Sequence, residues 1–153
     1  MIPKKHLIIG FVTSLILLLI VPKLSMLDAL IIFLSSVLID IDHYLAYAIE
    51  KKDWNPKNAY NYLMQKRKFI LKLSSKERAK YKVMIMIFHG IEFWIILSLL
   101  IFVNKLFLFV LIGVIIHMIP DILELYKVGT SINLKLSTIY VVQSNKNKIP
   151  IKD

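Results

Sequence analysis

The sequence predicts an all-α fold: a four-helix transmembrane bundle with a basic amphipathic cytoplasmic helix between its second and third helices, and a short, β-inclined C-terminal tail. Three observations carry that expectation. Hydrophobic residues make up 58% of the 153-residue chain, and the mean hydropathy of +0.68 is too high for an ordinary soluble domain. The apolar residues gather in four runs, at 7–21, 27–49, 83–103 and 106–126. The net charge is +10, and all twenty Lys and Arg lie outside those runs. Residues 1–128 are therefore read as one membrane domain and 129–153 as a cytoplasmic tail.

A helix rises about 1.5 Å per residue, so roughly 20 residues cross a hydrocarbon core. The second to fourth runs meet that length, and helices are expected at about 4–22, 27–49, 75–103 and 106–126. The first run needs its flanks to complete a span. Lys4 and Lys5 ahead of an apolar core are also the opening of a signal peptide, but no small-x-small cleavage site follows at Val21-Pro22-Lys23-Leu24-Ser25, so it is read as a retained helix.

Orientation comes from the basic residues. Lys4 and Lys5 precede the first helix, the segment 50–82 holds eleven Lys or Arg, and the chain after Tyr126 holds five more. The turns around Lys23 and Lys105 hold one each. The chain is thus expected in the cell membrane, multi-pass, with both termini cytoplasmic.

Within the basic segment, Asn55-Pro56 is a capping residue followed by Pro at the first helical position. Tyr60, Leu63, Met64, Ile70 and Leu71 then recur at helical spacing among Lys66, Arg67 and Lys68, which predicts an interfacial helix over about 56–73. Ser74-Ser75-Lys76-Glu77 reads as a capping box that opens the next helix. In the tail, Ile132, Leu134 and Leu136 alternate with polar residues and Tyr140-Val141-Val142 continues in β-prone types, so a short strand is expected there. The positive charge is explained by topology, so the expected partners are membrane lipids and anionic headgroups of the cytoplasmic leaflet, with no nucleic acid. Homo-oligomerisation is left open.

The residues that need explaining are acids and histidines inside apolar helices. Asp40, Asp42 and His43 interrupt the second run, and an ionised side chain in mid-membrane costs about 2.5–3.5 kcal/mol on insertion scales. With the predicted topology, His6, Asp40, Asp42, His43, His89, Glu92, His117, Asp121 and Glu124 nearly all fall within roughly 15 Å of the cytoplasmic face, at about 1.5 Å per residue. All four histidines of the chain belong to this set.

His117 and Asp121 share a helix face, as do His89 and Glu92, and Asp40 and His43. Asp42 lies about 200° round from Asp40 on a straight helix. It therefore serves a second cation, or the helix distorts, or one of the pair only orients a neighbour. Pro120 is expected to loosen the fourth helix and free the carbonyl of Ile116.

The apolar runs contain no Lys or Arg to pair with these acids, which favours a bound cation over an ion-pair network. There is no cysteine, so His and carboxylate must hold it, which suits zinc, manganese, iron or magnesium, as one or two divalent ions. The expected ligands are Asp40, His43, His89, His117, Asp121 and His6, with Asp42 or Glu92 as general base.

Asp40-x-Asp42-His43, a His near the start of the following membrane helix, Gly113-x3-His117-x3-Asp121 and the early His6 resemble the pattern of the membrane-bound metal-dependent hydrolases (YdjM-like inner-membrane proteins). The resemblance implies a hydrolase. A site just beneath the cytoplasmic headgroups then points to a lipid-like phosphoester cleaved by metal-activated water. Two alternatives stay open: a structural or sensory metal site without turnover, and a metal-ion or solute transporter. The latter is disfavoured because residues 15–21 and 106–112 carry no polar side chain that could line a pathway.

Overall fold

The computed structural model describes residues 3–151. Among them helix is the only regular structure, with no β-strand and a single isolated bridge between Tyr81 and Ile149. The α-helices are α1 (Pro3–Ile20), α2 (Met26–Leu38), α3 (Ile41–Lys51), α4 (Pro56–Lys72), α5 (Ser75–Arg78), α6 (Ile91–Leu100), α7 (Leu106–Lys127), α8 (Asn133–Leu136) and α9 (Thr138–Ser144), followed by a 3₁₀ turn at Asn145–Asn147. Two segments, Met26–Lys51 and Leu106–Lys127, are long and apolar enough to cross a membrane.

The chain divides into two compact units. The first comprises the chain up to Asp40 together with Ile91–Glu124, and so contains α1, α2, α6 and most of α7. The second comprises Ile41–Gly90 and the chain from Leu125 on. The division separates charge as well as chain. The first unit has four Lys or Arg against five Asp or Glu, and the second has sixteen against five.

The first unit is built on close helix contact. Ser25 caps α2 in a capping box: its hydroxyl accepts from Asp28 N, and the Asp28 carboxylate accepts from Ser25 N. Ser36, near the end of α2, is the meeting point of three helices. A Cβ on Gly10 of α1 would collide with the Ser36 hydroxyl, and one on Gly113 of α7 would collide with the carbonyl oxygen of Ile32. Gly113 must be glycine for α7 to approach the α2 backbone this closely, and Gly10 leaves room for the Ser36 side chain, the small-residue packing that membrane helices favour. The unit's interior mixes Ile32, Leu97, Val114 and Met118 with the polar Ser14, Ser36, His6, His117 and Asp121, all buried. Its outer surface is apolar: Leu19 is 77% and Phe102 91% exposed.

Two features of this unit bear on the sequence expectations. The helix that was to run through 27–49 is broken. After α2 the hydrogen bond from Asp40 N returns to Val37 O, three residues back, and α3 begins afresh at Ile41. Of the three readings of the Asp40–Asp42 spacing, the distorted helix is thus found. By contrast α7 continues through Pro120 without interruption.

In the second unit, Asn55 caps α4 by accepting from Lys57 N and Asn58 N, with Pro56 at the first position. The helix expected over 75–103 is a correction. Ser74 and Glu77 do form a capping box, yet α5 is four residues long, and residues 79–90 are irregular before α6 starts. The backbone groups there are satisfied by distant partners in place of a helical ladder. Lys82 N donates to Ile149 O, Ile149 N donates to Lys80 O, and Asn145 bonds both N and O of Val83. The apolar helix that remains, α6, has ten residues and spans only about 15 Å.

The expected C-terminal strand is the second correction. Ser137 accepts from Tyr140 N and starts α9, which buries Val141. Thr138 Oγ1 donates to Met86 O and anchors the helix. A side-chain cap and tertiary contacts outweigh the β preference of Tyr140-Val141-Val142, a preference that reflects packing more than backbone.

Candidate metal site

In the first unit, α1, α2 and α7 bring four of the expected ligands together: His6, Asp40, His117 and Asp121. One ligand atom from each of His6, Asp40 and His117 lies within 4.8 Å of the other two. His117 Nε2 is 3.5 Å from Asp40 Oδ1 and 3.5 Å from Asp121 Oδ2, and His6 Nε2 is 3.1 Å from Asp121 Oδ1. Metal–ligand bonds of about 2.1 Å place neighbouring ligand atoms about 3.0–3.4 Å apart, from octahedral to tetrahedral geometry. These three separations lie near such edges, and the ligand atoms of His6, Asp40 and His117 all lie within 4.8 Å of one another.

The protonation state of His117 follows from its other nitrogen. Nδ1 is 2.7 Å from Ser36 O, and a carbonyl can only accept, so Nδ1 carries the proton. In the neutral imidazole Nε2 then presents a lone pair toward two carboxylate oxygens. Such an array is repulsive unless a cation lies among them or the ring takes a second proton. A His ring whose far N–H is held by a backbone carbonyl is the usual support of a metal ligand.

His6 adds a second test of fit. It is buried, stacks on the His117 ring with centroids 3.9 Å apart and planes 12° off parallel, and neither of its nitrogens makes a hydrogen bond among the described residues. The 3.1 Å approach of Nε2 to Asp121 is thus a contact without hydrogen-bond alignment. An unsatisfied buried polar group costs about 1–3 kcal/mol, and ligation of a cation removes that cost. The donor set is two nitrogens and two carboxylates, which suits zinc, iron or manganese. Asp40, with 23% of its side chain exposed, is the one open edge of an otherwise buried set.

The second unit holds the other two expected ligands, His43 and His89, together with Asp42. Asp42, in the first turn of α3, accepts from Phe88 N at 2.6 Å through Oδ2, and the same oxygen is 3.2 Å from His89 Nδ1. His89 is fully buried, and the half-buried His43 packs against it edge-on with centroids 5.3 Å apart. Asp42 therefore fixes the bend at Phe88-His89-Gly90 and directs His89 Nε2 away from itself, the orienting role that its sequence position left open. Glu92 lies half-buried in the first turn of α6, and Glu124 half-buried near the end of α7.

Sequence reasoning did not anticipate Ser36. Its part is played by a backbone carbonyl, which no residue type announces. The available signal was indirect: Gly10, Gly113 and the pair Ser35-Ser36 mark where apolar helices can touch. Comparison with protein-family profiles, curated proteins and solved structures gives no match.

Proposed function

We propose that the chain is an integral membrane metal-dependent hydrolase whose cation is held by His6, Asp40, His117 and Asp121. The observation that carries this reading is the His117 array: Nδ1 tied to Ser36 O, and Nε2 aimed at two carboxylates 3.5 Å away. A divalent cation at that point supplies Lewis acidity and lowers the pKa of a water toward neutrality. The protein's own residues do the rest. Ser36 fixes the tautomer of His117, burial of His6, His117 and Asp121 keeps bulk water from three sides, and the exposed edge at Asp40 admits substrate. Asp42 already serves Phe88 and His89, so Glu92, which shares a unit with the four ligands, is the proton acceptor we favour.

Burial in the first unit runs polar inside and apolar outside. Apolar surface on that scale is out of place in water, and it supports a bundle embedded in the bilayer, multi-pass, with α6 entering only part-way. The excess of basic residues in the second unit supports a cytoplasmic position for it and for both termini, against anionic headgroups. The substrate class that fits is an amphiphilic phosphoester. On this reading the chain resembles the membrane-bound metal-dependent hydrolases in its Asp40, His43, His117 and Asp121 pattern.

A second reading, a structural metal site without turnover, draws on the near-complete burial of three of the four ligands. Metal analysis of detergent-purified protein with phosphoester and acyl-ester assays separates the two. Stoichiometric metal and hydrolysis, both lost in H117A and D121N, are expected. Metal without turnover on any lipid class would favour the structural site, and metal-free folded protein would overturn both.

A further inference from the structure

We propose that a pocket between α3 and α4 binds a phosphate group, carried by an anionic phospholipid or by a soluble phosphomonoester. It sharpens the lipid-facing part of the reading above from a diffuse basic surface to a defined site, and it involves none of the four residues assigned to the cation. The pocket encloses roughly 460 Å³ and is lined by Tyr47, Lys51, Tyr62, Gln65, Lys66 and Phe69 among others.

Its chemistry is that of an oxyanion site with an apolar wall. The ammonium groups of Lys51 and Lys66 lie 5.0 and 4.8 Å from the centroid of the Tyr62 ring, so two like charges are gathered around one aromatic ring. Lys66 Nζ also donates to Tyr62 Oη at 2.7 Å, and Tyr62 Oη donates to Glu50 at 3.2 Å. That chain fixes the position of the Lys66 ammonium.

Two acids lie beside this charge, Asp53 in the pocket wall and Glu50 at Lys66, and both are engaged by donors of the protein. Asp53 accepts from Tyr47 Oη, Asn55 N and Asn58 Nδ2. Those three donors, with Tyr47 foremost, hold its carboxyl below the usual carboxylate range and commit it to the pocket wall. Glu50 sits 3.8 Å from Lys66 with half of its side chain in solvent, a weak pair that a phosphate oxygen can displace. A phosphate oxygen reached by two ammonium groups and the Gln65 amide gains charge-assisted bonds. Tyr47, Tyr62 and Phe69 offer apolar cover to the group esterified to it.

The test uses the full chain in detergent micelles, titrated with glycerol 3-phosphate by calorimetry, and in phosphatidylcholine nanodiscs with and without phosphatidylglycerol, followed by phosphorus NMR. Two double variants carry the same charge change: K51Q/K66Q inside the pocket and K68Q/K72Q outside it. Circular dichroism checks that both fold, and metal content reports separately on the cation site. We expect binding at least about tenfold weaker in K51Q/K66Q and little changed in K68Q/K72Q, since each loses two charges but only the first loses specific bonds. Binding of glycerol 3-phosphate with this pattern supports the site for soluble phosphomonoesters, and the same pattern with phosphatidylglycerol alone supports a lipid ligand. Equal weakening in the two variants, or no binding of either probe, would overturn the proposal.

Discussion

Gly113→Ala is the sharpest probe of the candidate metal site, because it acts without touching a ligand. A Cβ at residue 113 would stand 2.7 Å from Ser35 Cβ and 3.0 Å from Ser36 N, and would strike the Ile32 carbonyl. Ordinary contact begins near 3.4 Å, so clearing the Ile32 carbonyl would require α2 and α7 to part by about 1 Å. The same displacement would lengthen the 2.7 Å bond from His117 Nδ1 to Ser36 O to about 3.7 Å, beyond the limit of a hydrogen bond. Overpacking of this kind costs about 1–3 kcal/mol. Loss of the group that orients a metal-bound His typically costs about 10–100-fold in affinity. Competition with a chromogenic chelator measures the second quantity and thermal unfolding in detergent the first. Wild-type affinity together with wild-type stability in G113A would refute the packing argument and the role assigned to Ser36.

Ser36→Ala is expected to leave metal content unchanged, because it keeps the carbonyl that holds His117 and removes only the hydroxyl bonded to Phe33 O; metal analysis checks this. Asp42→Ala strands the Phe88 N–H and His89 Nδ1, and should destabilise the protein by about 1–3 kcal/mol, read from thermal melts. Asp53 and Glu77 both have carboxyl pKa values below the ordinary value, Asp53 through Tyr47 and its neighbours and Glu77 through Ser74. A depressed folded pKa contributes stability above the unfolded value, near 4, that is lost as pH falls through the folded value. The melting temperature should therefore be flat from pH 7 to 5 and fall below about pH 4, less steeply in D53A; an equal slope in wild type and D53A would remove Asp53 from the account.

Helix-forming stretches were legible where local signals and burial agree. Asn55-Pro56 opens α4, and the uninterrupted apolar run from Leu106 makes α7. The candidate ligands were legible for a different reason: an acid or imidazole in such a run has no cheap local explanation, and His117 and Asp121 share a helix face by spacing alone. What could not be read were features set by distant backbone. Residues 79–90 leave the helix because Asn145, Ile149 and Asp42 take up their N–H and C=O groups, and those partners lie more than 40 residues away in sequence. The tail was misjudged because alternation over five residues is too short to separate a strand from a single helical turn. The break at Asp40 was hinted at by the awkward angle between Asp40 and Asp42, but spacing alone could not choose among its three explanations.

The unequal sharing of charge between the units has a practical consequence at the bench. One half of the molecule is close to electrically neutral, while the other carries sixteen cationic side chains against five acidic ones. In lysate that second half meets RNA and DNA as a polycation, and such association is sequence-blind and falls steeply with added salt. Retention on heparin, or an ultraviolet spectrum skewed toward 260 nm, is to be expected from this polarity alone and should vanish in a high-salt wash.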